Sequence, residues 1–377
     1  MSNSKDLRLI GGIEGGGTRA NVTVINADTS EVLATVHKEG STNLYHVGID
    51  ESCNLLQQLV KDALNKAGLD PSITLEALGL SLSGCEVKET IDELKRRIQQ
   101  LYPTLSKEYV VESDTVGTLA TASGGGGMVL IAGTGSNALL TNPDGTTGRC
   151  GGWGHMLGDE GAAYFVAMRA GNNCITIFLL ELTIFFYHNR SLPGVHSNTF
   201  LFSVKMYLDY VDNMFQPPHD ITRVKDAILT YFNIKDHFGI LAHTYDDFTK
   251  AKFAGLCSKI AEEANNGDQL SKWLFIENGK WLAKHVVALC PKMSPELVSN
   301  GLPIVCVGSV WKSWALMEKG FMDELKENAQ GHLKHLSLIQ LKVPMSIGAC
   351  YLASDRAQIK IHKTYSDNST VFFKTNL

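Results

Sequence analysis

Apolar and polar positions alternate, then cluster, in an order that predicts a mixed α/β chain. Residues 8–13, 20–26 and 32–37 read as strands, rich in β-branched side chains, with Ala27-Asp28-Thr29-Ser30 as turn chemistry between the second and third. From Asp50 the apolar positions fall at helical spacing until Gly68 stops them. "LEALGLSLSGC" (75–85) predicts a strand that ends in a Ser-Gly turn. "ETIDELKRRIQQLYP" (89–103) predicts an amphipathic helix, "EYVVESD" (108–114) a strand, and "TVGTLATAS" a helix that starts directly after Asp114. Four glycines, 124–127, then interrupt the pattern, and a domain boundary is expected there: 1–124 and 125–377. The stretch from about 217 onward reads as mostly helical, with one buried strand (301–309), a last helical run (346–357) and a polar tail.

Beyond the boundary the opening pattern returns. "MVLIAGTGSNALLTNPDGTTG" (128–148) repeats the strand, glycine turn, strand and polar turn of "LRLIGGIEGGGTRANVTVINADTSE" (7–31). Each glycine turn carries hydroxyls: Gly15-Gly16-Gly17-Thr18 and Gly133-Thr134-Gly135-Ser136. Glycine lets backbone approach an anion, and successive N–H groups can form a concave nest for phosphate. A dinucleotide motif needs a helix after its glycines, and here a strand follows. A Walker loop needs Gly-Lys-Ser/Thr, and that lysine is missing. Ordinary hairpin turns remain the plain reading of either loop alone; two matched loops and a third Gly-Ser in "CVGSVWKSW" (306–314) favour a nucleotide.

Bulk properties remove other classes. The chain has 377 residues, enough for two domains, and a net charge of −5, which offers nucleic acid or an anionic membrane no attraction. Eight scattered cysteines without metal-ligand spacing read as reduced thiols in the cytosol. The apolar run 175–187 is about 13 residues long and contains Glu181; a membrane span needs roughly 20.

Two constellations carry chemistry. Asp114 follows the apolar run "YVV" and precedes a helix, a place suited to a fixed carboxylate that accepts a proton from an alcohol; an N-cap aspartate is the plainer role there. "GRCGGWGHMLGDEG" (148–161) packs six glycines around Trp153, His155, Asp159 and Glu160. An apolar platform beside carboxylates and amides suits a neutral polyhydroxylated ligand. His155 and Asp159 are four apart, but the glycines argue against the helix a metal pair would need, so no metal ligands are assigned. "GSTNLYHVG" (40–48) is expected to be a polar loop.

Taken in order, "GGIEGGGTRANVTV", "GLSLSG", "ESDTVGT", "AGTGSNALL", "GGWGHMLGDEGAAY", "FAGLCSKIAEEA" and "CVGSVWKSW" resemble the N-acetylglucosamine kinase family, eukaryotic members in particular. That family belongs to the sugar kinase/Hsp70/actin superfamily, with BadF/BadG-type ATPase relatives. The resemblance spans roughly residues 8–355. It implies an α/β fold of two RNase H-like (actin-like ATPase) domains with a cleft between them, ATP with Mg²⁺ as cofactors, and phosphorylation of N-acetyl-D-glucosamine at its 6-hydroxyl in amino-sugar salvage. Related N-acetyl amino sugars (N-acetylmannosamine or a muramyl peptide), or a sugar-independent ATPase, are the alternatives. Carried over by position, Gly16, Gly17, Thr18, Gly133, Thr134 and Gly135 would hold phosphate, and Ala254 and Ser309 the adenosine. Asn43, Ser136, Asn137, Gly152, Trp153, Gly154 and Asp159 would hold sugar, with Asp114 touching the sugar as base. A cytoplasmic homodimer is the family expectation. One stretch departs from the family: 171–203 splits what otherwise reads as one helix, joining Ala170 to Val204. A retained intron is one account of it and a genuine insertion the other.

Overall fold

The computed structural model describes residues 7–16, 19–42, 44–85, 87–168, 203–214, 216–329 and 331–377. All but the last residue of the 171–203 segment lies outside them.

Two sheets organise the chain. The first holds β1 (Leu9–Gly15), β2 (Arg19–Asn26), β3 (Val32–Glu39), β4 (Leu75–Leu82) and β5 (Ser106–Glu112) in the order β3-β2-β1-β4-β5. The second holds β6 (Gly127–Ala132), β7 (Ser136–Thr141), β8 (Thr147–Gly151), β9 (Leu302–Val307), β10 (His335–Leu341) and β11 (Ser369–Asn376) in the order β11-β10-β9-β6-β7-β8. Counting strands within each half, both sheets run third, second, first, fourth, fifth, and the second adds a sixth strand at its edge. Both begin with an antiparallel meander and add parallel strands on its far side. The repeat expected from the two glycine turns is therefore a repeat of topology.

Three local expectations need correction. The second half contains more strand than one buried segment: "HLSLIQL" forms β10, an alternating stretch passed over beside its helical neighbours. The polar tail is not a tail, because Ser369–Asn376 pairs antiparallel with β10. The polar loop 40–48 contains a short helix, Leu44–Val47.

The first sheet buries one face under helices Ile49–Lys66 and Lys88–Leu101, through Leu56, Leu59, Leu64, Leu94 and Ile98. Each such side chain removed from water contributes roughly 1.5–3 kcal/mol. Its other face receives helix Ser346–Arg356, which arrives from the far end of the sequence. Gly12 makes this approach possible: a Cβ there would stand 2.2 Å from the Ser346 carbonyl oxygen. Thr23 and Ser346 exchange a buried hydrogen bond of 2.7 Å across the same contact. The second sheet sits in a larger core with helices Lys250–Asn265, Gln269–Leu289 and Trp314–Asn328. Helix Asp114–Ala122 joins the halves: its Leu119 packs on Val129 and Val305 of the second sheet.

Candidate functional site

Parallel strands that start in register also end together, and this brings the first cluster into being. β1 pairs with β4 so that Gly15 lies beside Leu82, and β4 with β5 so that Ser81 lies beside Glu112. The residues just past those ends, Gly16, Ser83 and Asp114, must share one edge. Ser83 donates its backbone N–H to the Gly15 carbonyl at 2.9 Å and its hydroxyl to Asp114 Oδ2 at 2.5 Å. Thr42 donates its N–H to the Gly16 carbonyl at 3.0 Å, tying the 40–48 segment to the first glycine turn. Asp114 is the first helical residue, not the N-cap; Ser113 holds that position. A carboxylate there also meets the positive end of the helix dipole.

A second acid, Glu14, lies near this cluster; the family resemblance offers it as an outer-shell partner of the nucleotide's Mg²⁺. It is buried, and Asn21 Nδ2 donates to its Oε2 at 2.6 Å. Burial pushes the Glu14 carboxyl up, the Asn21 bond opposes that, the nearby charge of Asp114 raises it further and Arg19 opposes.

The second cluster follows the same rule on the second sheet. β6 pairs with β9 so that Ile131 lies beside Val307, and the turns after them meet. Gly133 donates to the Gly135 carbonyl at 2.9 Å and accepts from the Ala163 N–H at 2.8 Å. Gly308 has φ +110, and a Cβ on it would stand 2.3 Å from the Ala132 carbonyl oxygen. Only glycine serves there. Thr134 and Ser309 are both exposed on these adjoining turns.

Asp159 is 4% exposed and braces the second turn. Its Oδ1 accepts the Ser136 N–H at 3.0 Å and its Oδ2 accepts Lys250 Nζ at 2.7 Å. Lys250 opens helix Lys250–Asn265, and Ala254 lies one turn further on the same face. Asn137 is the register partner of Gly151, and a Cβ on Gly152 would stand 2.9 Å from Asn137 Oδ1. Ser136 Oγ and Asn137 Oδ1 are buried polar atoms without a protein partner, so each has hydrogen-bonding capacity left for a water or a ligand. Arg149 donates to the Gly152 carbonyl at 2.8 Å and lies 5.4 Å from the Trp153 ring centre. Trp153 is 67% exposed. Gly154 bridges to Gly158, which shapes the following bend. His155 stacks on Phe248 and meets Tyr164 edge-on.

The structure thus groups Gly16 with Asp114, and Gly133, Gly135, Ser136, Asn137, Gly152 and Asp159 with one another. Gly17, Thr18 and Asn43 lie outside the described residues. Ser83 and Lys250 were not foreseen. Ser83 had a signal, since "LSLSG" ends a parallel strand beside the glycine turn; Lys250, remote in sequence from Asp159, had none. A cavity of about 440 Å³ lies where the sheets face each other, with Asn21 from β2 opposite Gly308, Lys312 and Met345.

Two sheets of one strand order, each with a glycine turn at the carboxyl ends of its strands, define the actin-like ATPase fold of the sugar kinases. Residues 12–177 match the BadF/BadG/BcrA/BcrD ATPase family. The chain is 22% identical over 348 residues to the N-acetylmuramic acid/N-acetylglucosamine kinase of Clostridium acetobutylicum, covering 92% of this chain and 98% of that one. It is 21% identical over 353 residues to the N-acetyl-D-glucosamine kinase of Dictyostelium discoideum, covering 91% and 96%. The solved structure of a candidate N-acetylglucosamine kinase from Chromobacterium violaceum superposes with a TM-score of 0.64 at 21% identity, over 93% of this chain and all of that one. The fold class and the family resemblance drawn from the motifs are borne out. No helix among the described residues is long and apolar enough to cross a membrane.

Proposed function

We propose that this protein transfers the γ-phosphoryl group of ATP to the 6-hydroxyl of N-acetyl-D-glucosamine. The observation that carries the reading is Asp114, fixed by Ser83 at the edge of the first glycine turn. In the proposed step Asp114 accepts the hydroxyl proton, the sugar oxygen forms its bond to the γ-phosphorus, and the bond to the bridging oxygen breaks to release ADP. Gly16, Gly17 and Thr18 from one half, and Gly133, Thr134 and Gly135 from the other, would hold the phosphates. Ala254 and Ser309 would flank the adenosine. Asn43, Ser136, Asn137, Gly152, Trp153, Gly154 and Asp159 would hold the sugar. Mg²⁺ would enter on the nucleotide, bound by phosphate oxygens and water; among the described residues no three His, Cys, Asp or Glu side chains cluster as ligands.

The proposed domain division stays at 124/125, with helix Ser346–Arg356 returning to the first sheet. A cytoplasmic homodimer is part of the same reading. A broader sugar range has one observation in its favour, the exposed face of Trp153 beside Gly152, and it fits the double name of the Clostridium relative.

The test is ADP release coupled to N-acetylglucosamine, wild type against Asp114→Asn, with a loss in kcat of at least about a hundredfold expected. Equal rates remove Asp114 from the mechanism. ATP turnover that ignores the sugar removes the kinase reading in favour of an ATPase.

A further inference from the structure

The block 151–161 is fastened at both ends to one helix, Gln269–Leu289. Asn278, Leu282 and His285 on that helix are spaced four and three apart, so they share a face. All three are buried. Asn278 Nδ2 donates to the Gly161 carbonyl at 3.0 Å. A carbonyl only accepts, so this bond fixes which way the amide points. Leu282 packs beneath the same residue: a Cβ on Gly161 would stand 2.5 Å from Leu282 Cδ2. At the other end, a Cβ on Gly151 would stand 2.6 Å from His285 Nε2. Both glycines have positive φ, +77 at Gly151 and +85 at Gly161. The imidazole is held in turn, with Nδ1 2.8 Å from the Trp281 carbonyl. That carbonyl needs a donor, so Nδ1 carries the proton, and the neutral ring leaves Nε2 as an acceptor toward Gly151. Burial favours the neutral ring by pushing the His285 pKa down. Between the anchored ends, Trp153, Met156 and Leu157 are exposed.

We propose that Asn278 and His285 are positioning residues that hold the 151–161 block in the shape that receives the sugar. The inference rests on the reading of Gly152, Trp153, Gly154 and Asp159 as sugar contacts. Asn278 acts through Gly161, two residues beyond Asp159, whose Oδ1 accepts the Ser136 N–H. His285 acts through Gly151, the register partner of Asn137 and the neighbour of Gly152. Ser136 Oγ and Asn137 Oδ1, the buried atoms with bonding capacity to spare, belong to residues tied to these same two ends. Neither Asn278 nor His285 is placed against the sugar; each fixes backbone that is. Burying an amide costs more than burying the leucine one turn away, and the bond that offsets this runs to the block. When the block loosens, the fraction of molecules in the receiving shape falls, and apparent sugar affinity falls with it.

The experiment follows amide hydrogen exchange by mass spectrometry in the full chain, beside calorimetric titration with N-acetylglucosamine and with ADP. Asn278→Leu keeps the side-chain volume and removes the donor, so exchange rises in peptides that cover 158–163. His285→Leu does the same in peptides that cover 150–153. Exchange in the strands of the first sheet stays at the wild-type level in both. Sugar affinity falls about tenfold in each variant, the scale of one lost buried bond, while ADP affinity holds. His285→Gln, which keeps an acceptor near the place of Nε2, recovers most of the sugar affinity that His285→Leu loses. Wild-type exchange across the block in both leucine variants overturns the proposal, and so does faster exchange with unchanged sugar affinity. Faster exchange spread evenly over both sheets also overturns it, since the fold as a whole has then loosened. Should Asn278→Leu fail to fold, the His285 pair decides. A wild-type protein that binds no N-acetylglucosamine sinks the sugar reading alone, and block exchange in the variants still decides whether this helix face holds the block.

Discussion

The two halves share a topology and treat their acids in opposite ways. In the second half both Asp159 oxygens are committed, one to the Ser136 N–H and one to the Lys250 ammonium. In the first half Glu14 and Asp114 are each held by a neutral donor, Asn21 and Ser83. A charge locked to a cation makes a fixed binding surface. An acid steadied by a hydroxyl, as Asp114 is by Ser83, is the setting the proposed base needs. On the proposed function, one duplicated frame has yielded a half that mainly holds the sugar and a half that carries the base.

The largest test breaks the cation side. Lys250→Met leaves Asp159, 4% exposed, without its counter-charge. Lys250 is itself partly exposed, so losing this partner costs roughly 1–3 kcal/mol, less than at a wholly buried pair. The urea midpoint should fall accordingly, and the sugar KM should rise because the Asp159 carboxylate is no longer anchored. A midpoint within error of wild type would mean the pair is not worth its geometry. On the reactive side, Asp114→Asn should lose at least about a hundredfold in kcat, near 2.7 kcal/mol, while the fold stays intact. The contrast of a stability loss in one half and a rate loss in the other is the comparison in measurable form.

Next in size is Ser83→Ala. It deletes the bond that aims Asp114 and leaves the carboxylate in place. About a tenfold fall in kcat is expected, near 1.4 kcal/mol, with KM nearly unchanged. A fall as large as that of Asp114→Asn would make Ser83 a participant instead of a support.

These partners also mark what could be read in advance. The glycine turns, their hydroxyls and Asp114 were legible because each motif is contiguous and its chemistry is local. β10 was not, since "HLSLIQL" is short, alternating and set among helical segments, and its place depends on β9 beside it. Ser83 came within reach through the parallel register of β1 and β4. Lys250 and Asp159 are joined only by tertiary packing, which no spacing rule encodes. Gly12, just upstream of the phosphate glycines, serves packing against helix Ser346–Arg356, a role no local motif announces.

Glu14 gives a smaller effect with a definite sign. Its carboxyl is raised above the ordinary value, chiefly by burial. The ionised form is therefore disfavoured in the folded chain relative to the unfolded one. That disadvantage is absent below the unfolded value, where both states hold the proton, and complete above the folded value. Glu14→Gln should thus gain on wild type in urea midpoint as the pH rises from acid to neutral, while losing activity. A gap between the two proteins that stays constant with pH would remove Glu14 from the titrating groups.

The smallest change in stability is expected at Trp153, where the binding half meets solvent. Its ring is 67% exposed, with the Arg149 guanidinium 5.4 Å from its centre. Little apolar area is lost to water when it is cut back, so Trp153→Ala should shift stability by about 0.5 kcal/mol or less. If the ring is a platform for sugar, KM for N-acetylglucosamine rises several-fold while kcat holds, since the ring touches substrate alike before and during transfer. A kcat loss with unchanged KM would instead tie Trp153 to the reactive half, and the division between a holding half and a reacting half would no longer describe this molecule.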